Sequence, residues 1–168
     1  GNPSSAHRLG SAARCAVEEA RAQVAELLGA EPRQIVFTSG GTEANNLALA
    51  GVEGRVLVSA IEHSSVLEPL RARAAAGAIR LELLPVDGDG RVDPAELEAA
   101  LAGETALVSV GWANNEIGTV QPLAAIADLC RRRGVPLHSD AVQAAGKVAI
   151  DARADLLSLS AHKLGGPK

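Results

Sequence analysis

The feature that most constrains this chain is an alternation: short apolar runs take turns with segments of helical periodicity, and most of the runs empty straight into glycines or polar side chains. Residues 34–38, 55–59, 79–86, 105–110, 135–139 and 156–159 read as strands. Between them, Leu9, Ala13, Ala16, Val17, Ala20, Val24, Leu27 and Leu28 recur at helical spacing before Gly29, and residues 122–133 do the same before Gly134, a C-cap position in both cases. Strand and helix in turn predict a mostly parallel α/β sheet with helices on both faces. In such sheets ligands bind beyond the carboxyl ends of the strands, so the residues that follow each run are where chemistry is to be sought.

Five strand ends are polar. The first is Ser39-Gly40-Gly41-Thr42, between a strand and a helix, where glycines let backbone approach closely and free N–H groups face an anion; such turns also occur without a ligand. His63 follows the second run, either as a structural histidine or for ring stacking or proton transfer, and Ser65-Val66-Leu67-Glu68 fits a capping box. Asn114 and Asn115 follow another run, and Asp140 with Gln143 follows the next, where a lone Asp before a short helical segment is most often an N-cap and its competing role needs a cationic partner. The last run delivers Ser160, His162 and Lys163 before Gly165-Gly166-Pro167 breaks regular structure. A partly desolvated lysine there can form a Schiff base with a carbonyl, although a single loop lysine is ordinarily solvated and inert. Each residue has a plain explanation alone; their coincidence at one sheet edge does not. By contrast the turn Asp87-Gly88-Asp89-Gly90 and the helix start Asp93-Pro94-Ala95-Glu96 read as purely structural.

Composition narrows the function classes. With 168 residues, 47% hydrophobic and 21% charged, the chain reads as one soluble globular domain. Phe37 and Trp112 are the only aromatics, too few for base-stacking platforms, and a net charge of −4 argues against direct nucleic-acid binding. Arg131-Arg132-Arg133 reads as a helix end favoured by the helix dipole. Cys15 and Cys130 have neither ligand nor disulfide spacing, fall in helical patterns and read as buried small apolar residues of a reducing cytoplasm. Histidines and cysteines lack zinc spacing, so no metal is expected. No apolar run approaches the ~20 residues of a membrane span and no signal peptide opens the chain. The absence of Met suggests a processed chain or a segment of a longer one.

A phosphate cradle, an aldehyde-accepting lysine and a strand-end carboxylate together suit pyridoxal phosphate, whose ring becomes an electron sink when a carboxylate such as Asp140 keeps its nitrogen protonated. Gln143 or Asn115 could then hydrogen-bond the ring hydroxyl or a substrate carboxylate, and His63 could lie against the ring.

On these residues the chain resembles the large domain of the cysteine desulfurases, pyridoxal-phosphate enzymes of the class-V aminotransferase type. The resemblance rests on Gly1-Asn2-Pro3-Ser4-Ser5, Thr38-Ser39-Gly40-Gly41-Thr42-Glu43-Ala44-Asn45-Asn46, Glu62-His63, Asn114-Asn115-Glu116-Ile117-Gly118, His138-Ser139-Asp140-Ala141-Val142-Gln143 and Ser158-Leu159-Ser160-Ala161-His162-Lys163, and spans essentially all 168 residues. It implies the large domain of a fold-type I transferase. It further implies Lys163 as the Schiff-base lysine, Asp140 as the pyridinium partner and His63 as the stacked ring, with Gly41, Thr42, Ser160 and His162 at the phosphate and Asn115 and Gln143 near the ring hydroxyl and substrate. The implied reaction turns L-cysteine into alanine and leaves the sulfur on an enzyme cysteine as a persulfide. Iron–sulfur scaffolds or tRNA-thiolation proteins would then receive it, and the resemblance implies a homodimer.

In the family the persulfide cysteine lies beyond the lysine, on a loop that also brings an arginine for the substrate carboxylate, and neither Cys15 nor Cys130 matches that position. The small domain and an opening strand are also expected elsewhere, so the segment alone is expected to lack turnover. The spacing from Asp140 to Lys163 is slightly short for the family, which places the difference around Asp151-Ala152-Arg153-Ala154. Selenocysteine lyase or another class-V lyase, and a non-catalytic cofactor-binding fragment, are the competing expectations.

Overall fold

The computed structural model describes residues 1–149 and 153–166 and divides into two compact units, Gly1–Phe37 and the remainder from Thr38 onward. In the first, helix α1 (Arg8–Leu28) begins at His7, whose ring Nδ1 accepts the Gly10 N–H at 3.2 Å, and ends at Gly29 in the left-handed conformation with φ 63°. A 3-10 turn (Pro32–Gln34) follows, with Glu31 and Gln34 forming a capping box. Arg21 holds the exit of this unit: it pairs with Glu18 at 3.2 Å, donates to the Ile35 carbonyl and stacks over the Phe37 ring at 5.0 Å.

The second unit carries a five-stranded, wholly parallel sheet in the order β2-β1-β3-β4-β5. Its elements run α2 (Gly41–Ala50), β1 (Gly54–Ser59), α3 (Ser64–Ala75), β2 (Ile79–Leu84), α4 (Pro94–Ala100), β3 (Leu107–Ser109), α5 (Leu123–Arg133), β4 (Leu137–Asp140) and β5 (Leu156–Ser158), then a 3-10 turn (Ala161–Leu164). Strand residues alternate between two cores, as a period of two requires. Leu57 and Val108 pack with Leu97, Ile126 and Trp112 on the side of α4 and α5, whereas Val56, Val58 and Leu107 pack with Leu49, Val66 and Leu70 of α2 and α3. Helices therefore cover both faces, as expected. The chain moves outward from β1 to β2 and then returns to the other side of β1 for β3, so the topological switch lies between β1 and β3.

Four expectations need correction. Residues 34–38 do not form a strand: Ile35 is extended, at φ −89° and ψ 125°, but the run has no ladder partner among the described residues, and Val36 and Phe37 are exposed. Extended backbone becomes a strand only when another strand pairs with it. Cys15 is exposed, because the buried stripe of α1 runs through Gly10, Ala25 and Leu28; Cys130 is buried as expected. Residues after Asp140 form turns instead of a regular helix. The fourth concerns Ser65 and is described with the site. The segment expected to absorb the short Asp140–Lys163 spacing begins in residues 151 and 152, and the Gly165-Gly166-Pro167 breaker ends in Pro167, all of which lie outside the described residues.

A polar thread crosses the sheet beneath the site. His138 on β4 is fully buried, its Nδ1 2.9 Å from Ser109 Oγ on β3 and its Nε2 3.1 Å from Ser158 Oγ on β5. Burial pulls its pKa down to about 4, against an opposing pull from Asp140. The unfolded chain, with an ordinary histidine, takes up that proton first, so the stability His138 contributes is whole above about pH 6.5 and declines as pH falls toward 4. Urea unfolding at intervals across this window is expected to show a loss of roughly 3 kcal/mol from this group. A His138→Asn variant is expected to be less stable at neutral pH and to lose much of that pH slope.

Candidate active site

At the carboxyl ends of the strands lies a cavity of about 750 Å³. All nine residues singled out in the sequence for the cofactor line it: Gly41, Thr42, His63, Asn115, Asp140, Gln143, Ser160, His162 and Lys163.

Asp140 occupies its centre of charge. As the last residue of β4 it is half-buried; its Oδ1 accepts the Val142 N–H at 2.9 Å and its Oδ2 accepts from Asn45 Nδ2 at 2.7 Å. The carboxylate thus caps the following turn, as an N-terminal Asp commonly does, and is also held by a side chain 95 residues distant in sequence. Asn45 is almost wholly buried on α2, and its second amide hydrogen goes to Ser65 Oγ at 2.9 Å. Asn45 Oδ1 is buried and has no hydrogen-bond partner among the described residues.

His63, not Ser65, is the N-cap of α3: its ring Nδ1 accepts the Ser65 N–H at 3.1 Å. That corrects the expected capping box, and the reason is reach. The helix starts two residues earlier, which places Ser65 inside the first turn with its hydroxyl 2.7 Å from the His63 ring, while Glu68 pairs instead with Arg71.

Two further groups close the switch point. Glu62 leaves the end of β1 and its Oε1 accepts the Gly111 N–H beyond β3 at 2.5 Å. Burial outweighs that donor, and with a smaller push from Asp140 raises the carboxyl to about 8. On the far side, the N-terminus of α2 comes so close to the neighbouring loops that a Cβ on Gly41 would lie 3.0 Å from Val142 Cγ2 and 3.5 Å from the Ser160 side chain. Thr42 stands exposed at the helix start, and Glu43 accepts the Ser39 N–H at 2.5 Å, which keeps its carboxyl below the usual range. Ser160 Oγ, nearly buried, lies 2.8 Å from His162 Nδ1.

Gln143 is oriented from both ends, donating to Asn115 Oδ1 at 3.2 Å and accepting from Lys147 at 2.8 Å, so the Asn115 amide hydrogens are left for the cavity. Lys163 sits in the 3-10 turn after β5 and its ammonium makes no hydrogen bond or ion pair among the described residues. It is exposed, short of the partial desolvation expected of it, because no described element covers that rim. Asn45 had no separate role assigned from the sequence, and Ser65 had only that of a helix cap. The signal available was only that an Asn sits one helical turn from the Gly41 helix start and a Ser two residues after His63, neither of which specifies a tertiary partner.

A parallel sheet whose strand ends bring a helix N-terminus, an oriented carboxylate and an amine without a partner among the described residues into one cavity defines an α/β cofactor-binding fold. The chain belongs to the aminotransferase class-V family, which it matches over residues 1–168. It is 50% identical to the cysteine desulfurase IscS of Vibrio cholerae serotype O1 and 46% identical to a mitosomal cysteine desulfurase of Encephalitozoon cuniculi, covering 100% of this chain in both and 44% and 42% of those proteins. Among solved structures, SspA in complex with cysteine superposes with a TM-score of 0.96 at 37% identity over 100% of this chain and 51% of that one. DndA from Streptomyces lividans does so with a TM-score of 0.90 at 39% identity, over 100% and 49%. The chain therefore spans about half or less of the length of the relatives it matches.

The family's cofactor is pyridoxal phosphate, and the cavity fits it. The Gly41 backbone, the Thr42 and Ser160 hydroxyls and the His162 ring make a donor set for a phosphate dianion at a helix N-terminus. Asp140, with one oxygen held by Asn45 and the other by a backbone N–H, presents negative charge to a protonated ring nitrogen.

Glu62 provides the test of this electrostatic picture. A carboxyl raised in the folded state keeps its proton up to about pH 8, whereas the unfolded chain releases it near 4.5. Stability from this group is thus complete below about 4.5 and is lost as pH rises toward 8. Urea midpoints at pH 6.5 and pH 8, a window in which the His138 contribution is already whole, are expected without added cofactor to fall with pH in the wild type and to converge in Glu62→Gln, which stays neutral and retains an acceptor for Gly111.

Proposed function

We propose that this chain is most of the cofactor-binding large domain of a pyridoxal-phosphate-dependent cysteine desulfurase. The observation that carries the reading is the convergence of Lys163, Asp140, His63 and the Gly41–Thr42 helix start on one cavity, with the Asp140 carboxylate oriented and the Lys163 amine without a partner among the described residues. Similarity to enzymes named cysteine desulfurase, and to a structure holding cysteine, supports the choice of L-cysteine among amino acids.

Gly41, Thr42, Ser160 and His162 would hold the phosphate, Asp140 the ring nitrogen and Lys163 the aldehyde carbon. When bound, the cofactor supplies an electron sink for the pair left on an amino acid's α-carbon. The rest falls to the chain's own groups. Asp140 would favour a proton on the ring nitrogen by presenting its carboxylate there. Asn115 offers amide hydrogens to a carboxylate or hydroxyl in the cavity, and Gln143 fixes that amide's orientation. His63 lies at the cavity wall, where it would contact the ring or the substrate, and Lys163 Nζ would be the amine that moves a proton at the α-carbon.

The sulfur acceptor belongs elsewhere in the protein. No cysteine lines this cavity among the described residues; Cys130 is buried in α5, where burial pushes its thiol up to about 11 and suppresses the thiolate. A cysteine outside these residues would carry the persulfide. The proposal extends to an iron–sulfur scaffold or tRNA-thiolation protein as recipient, to a homodimer and to the cytoplasm, each resting on the family resemblance.

Borohydride reduction after addition of pyridoxal phosphate, followed by peptide mass spectrometry, is expected to label Lys163, with labelling lost in Lys163→Ala and strongly reduced in Asp140→Ala and Thr42→Ala. The intact protein is expected to release alanine from L-cysteine, and Lys163→Ala to lower that rate by at least about a thousandfold, as removal of a covalent catalytic group does. Equal labelling of Lys147 and Lys163, or unchanged turnover in Lys163→Ala, would overturn the assignment.

A further inference from the structure

We infer that Asn45 and Ser65 lock the neutral ring of His63 as the Nε2–H tautomer, so that His63 presents a hydrogen-bond donor to the cavity and not a basic nitrogen. The inference rests on the proposed function only for what the donor meets. The tautomer itself follows from the direction of four hydrogen bonds.

At Asp140 the polarity is unambiguous. A carboxylate oxygen with Asn45 2.7 Å away can only accept, so the Asn45 atom facing Asp140 Oδ2 is the amide nitrogen. The same nitrogen lies 2.9 Å from Ser65 Oγ and spends its second hydrogen there, which obliges the Ser65 oxygen to accept. The Ser65 hydroxyl hydrogen is then free to point at His63 Nδ1, 2.7 Å away. Independently, the backbone N–H of Ser65 is aimed at the same Nδ1 at 3.1 Å, and a backbone N–H has no other role than donor. Two donors therefore converge on one ring nitrogen. A proton on Nδ1 would face both of them, so Nδ1 is the acceptor and the ring proton resides on Nε2.

Nε2 makes no hydrogen bond among the described residues, and His63 is an exposed residue of the cavity wall. It is thus the ring's outward atom. A neutral His63 in this state has no free lone pair to take a proton from a substrate thiol or amine; it can donate a hydrogen bond to a thiolate or a carboxylate of an amino acid. The network also joins His63 to Asp140 through Asn45 and Ser65, so two residues that line the cavity are oriented by one set of hydrogen bonds. Asn45 and Ser65 touch no reacting atom in this scheme and act as positioning residues.

The test reads the tautomer directly and requires neither cofactor nor turnover. The intact protein, labelled with 15N-histidine, is examined by long-range proton–nitrogen correlation spectra above the titration of its histidines, with His63 assigned by the signals lost in His63→Gln. The Nε2–H form is expected to exceed the other by on the order of tenfold or more, the tilt that two donors on one nitrogen provide. Ser65→Ala and Asn45→Ala are each expected to bring the two forms toward comparable populations, and Ser65→Thr, which keeps the hydroxyl, to restore the tilt. A wild-type ring in the Nδ1–H form or an even mixture would overturn the inference. Persistence of a pure Nε2–H form in both alanine variants would overturn the role of the pair and leave the backbone N–H as sole cause. Borohydride labelling of Lys163 decides the cofactor reading separately, so failure of one is distinguishable from failure of the other.

Discussion

Parallel pairing is the constraint on which this site depends. Because all five strands run the same way, the residue that ends each one lies at the same edge, and side chains as far apart in sequence as Asn45 and Asp140 meet there at 2.7 Å. The order of the strands adds a second condition. Leaving β1 in one direction for β2 and returning on the other side for β3 parts the two connections, which opens a crevice between the end of β1 and the end of β3. Glu62 and Gly111 bridge that crevice, and the loop carrying His63 is thereby tied to the loop that leads to Asn114 and Asn115.

Beneath and around the crevice the structure buries polar groups where aliphatic ones would pack more simply. Ser109, His138 and Ser158 thread β3, β4 and β5, while Asn45 and Ser65 lie under the cavity wall. Buried polar groups are tolerable only when paired, and nearly all of these are, each to a partner on a different element. The result is rigidity delivered to a few atoms: Asp140 Oδ1 and Oδ2 each have an assigned donor, and His63 Nδ1 has two. Such orientation before any ligand arrives is what a site that stabilises developing charge requires. The buried Asn45 Oδ1, without a partner among the described residues, is the exception in this network.

Much of this was legible in the sequence. Hydrophobic period and capping residues determined the existence and order of the helices and of five strands, since a run's period and its terminating glycine are local properties. Parallel topology then placed the polar strand ends together, and all nine predicted residues line the cavity. Local chemistry did not determine the outcome where pairing was needed: residues 34–38 have strand character but no ladder partner among the described residues, and the exposure of Cys15 depends on which stripe of α1 is covered. Likewise, His63 displaced Ser65 as N-cap because a ring nitrogen three-dimensionally close to the Ser65 N–H competes with a hydroxyl in a way no four-residue motif encodes. The sequence by itself therefore determined which residues would line the cavity, because strand ends are marked by composition. Only tertiary structure decided how those residues are oriented and protonated, because hydrogen-bond direction and burial arise between elements that are neighbours in space and not in the chain.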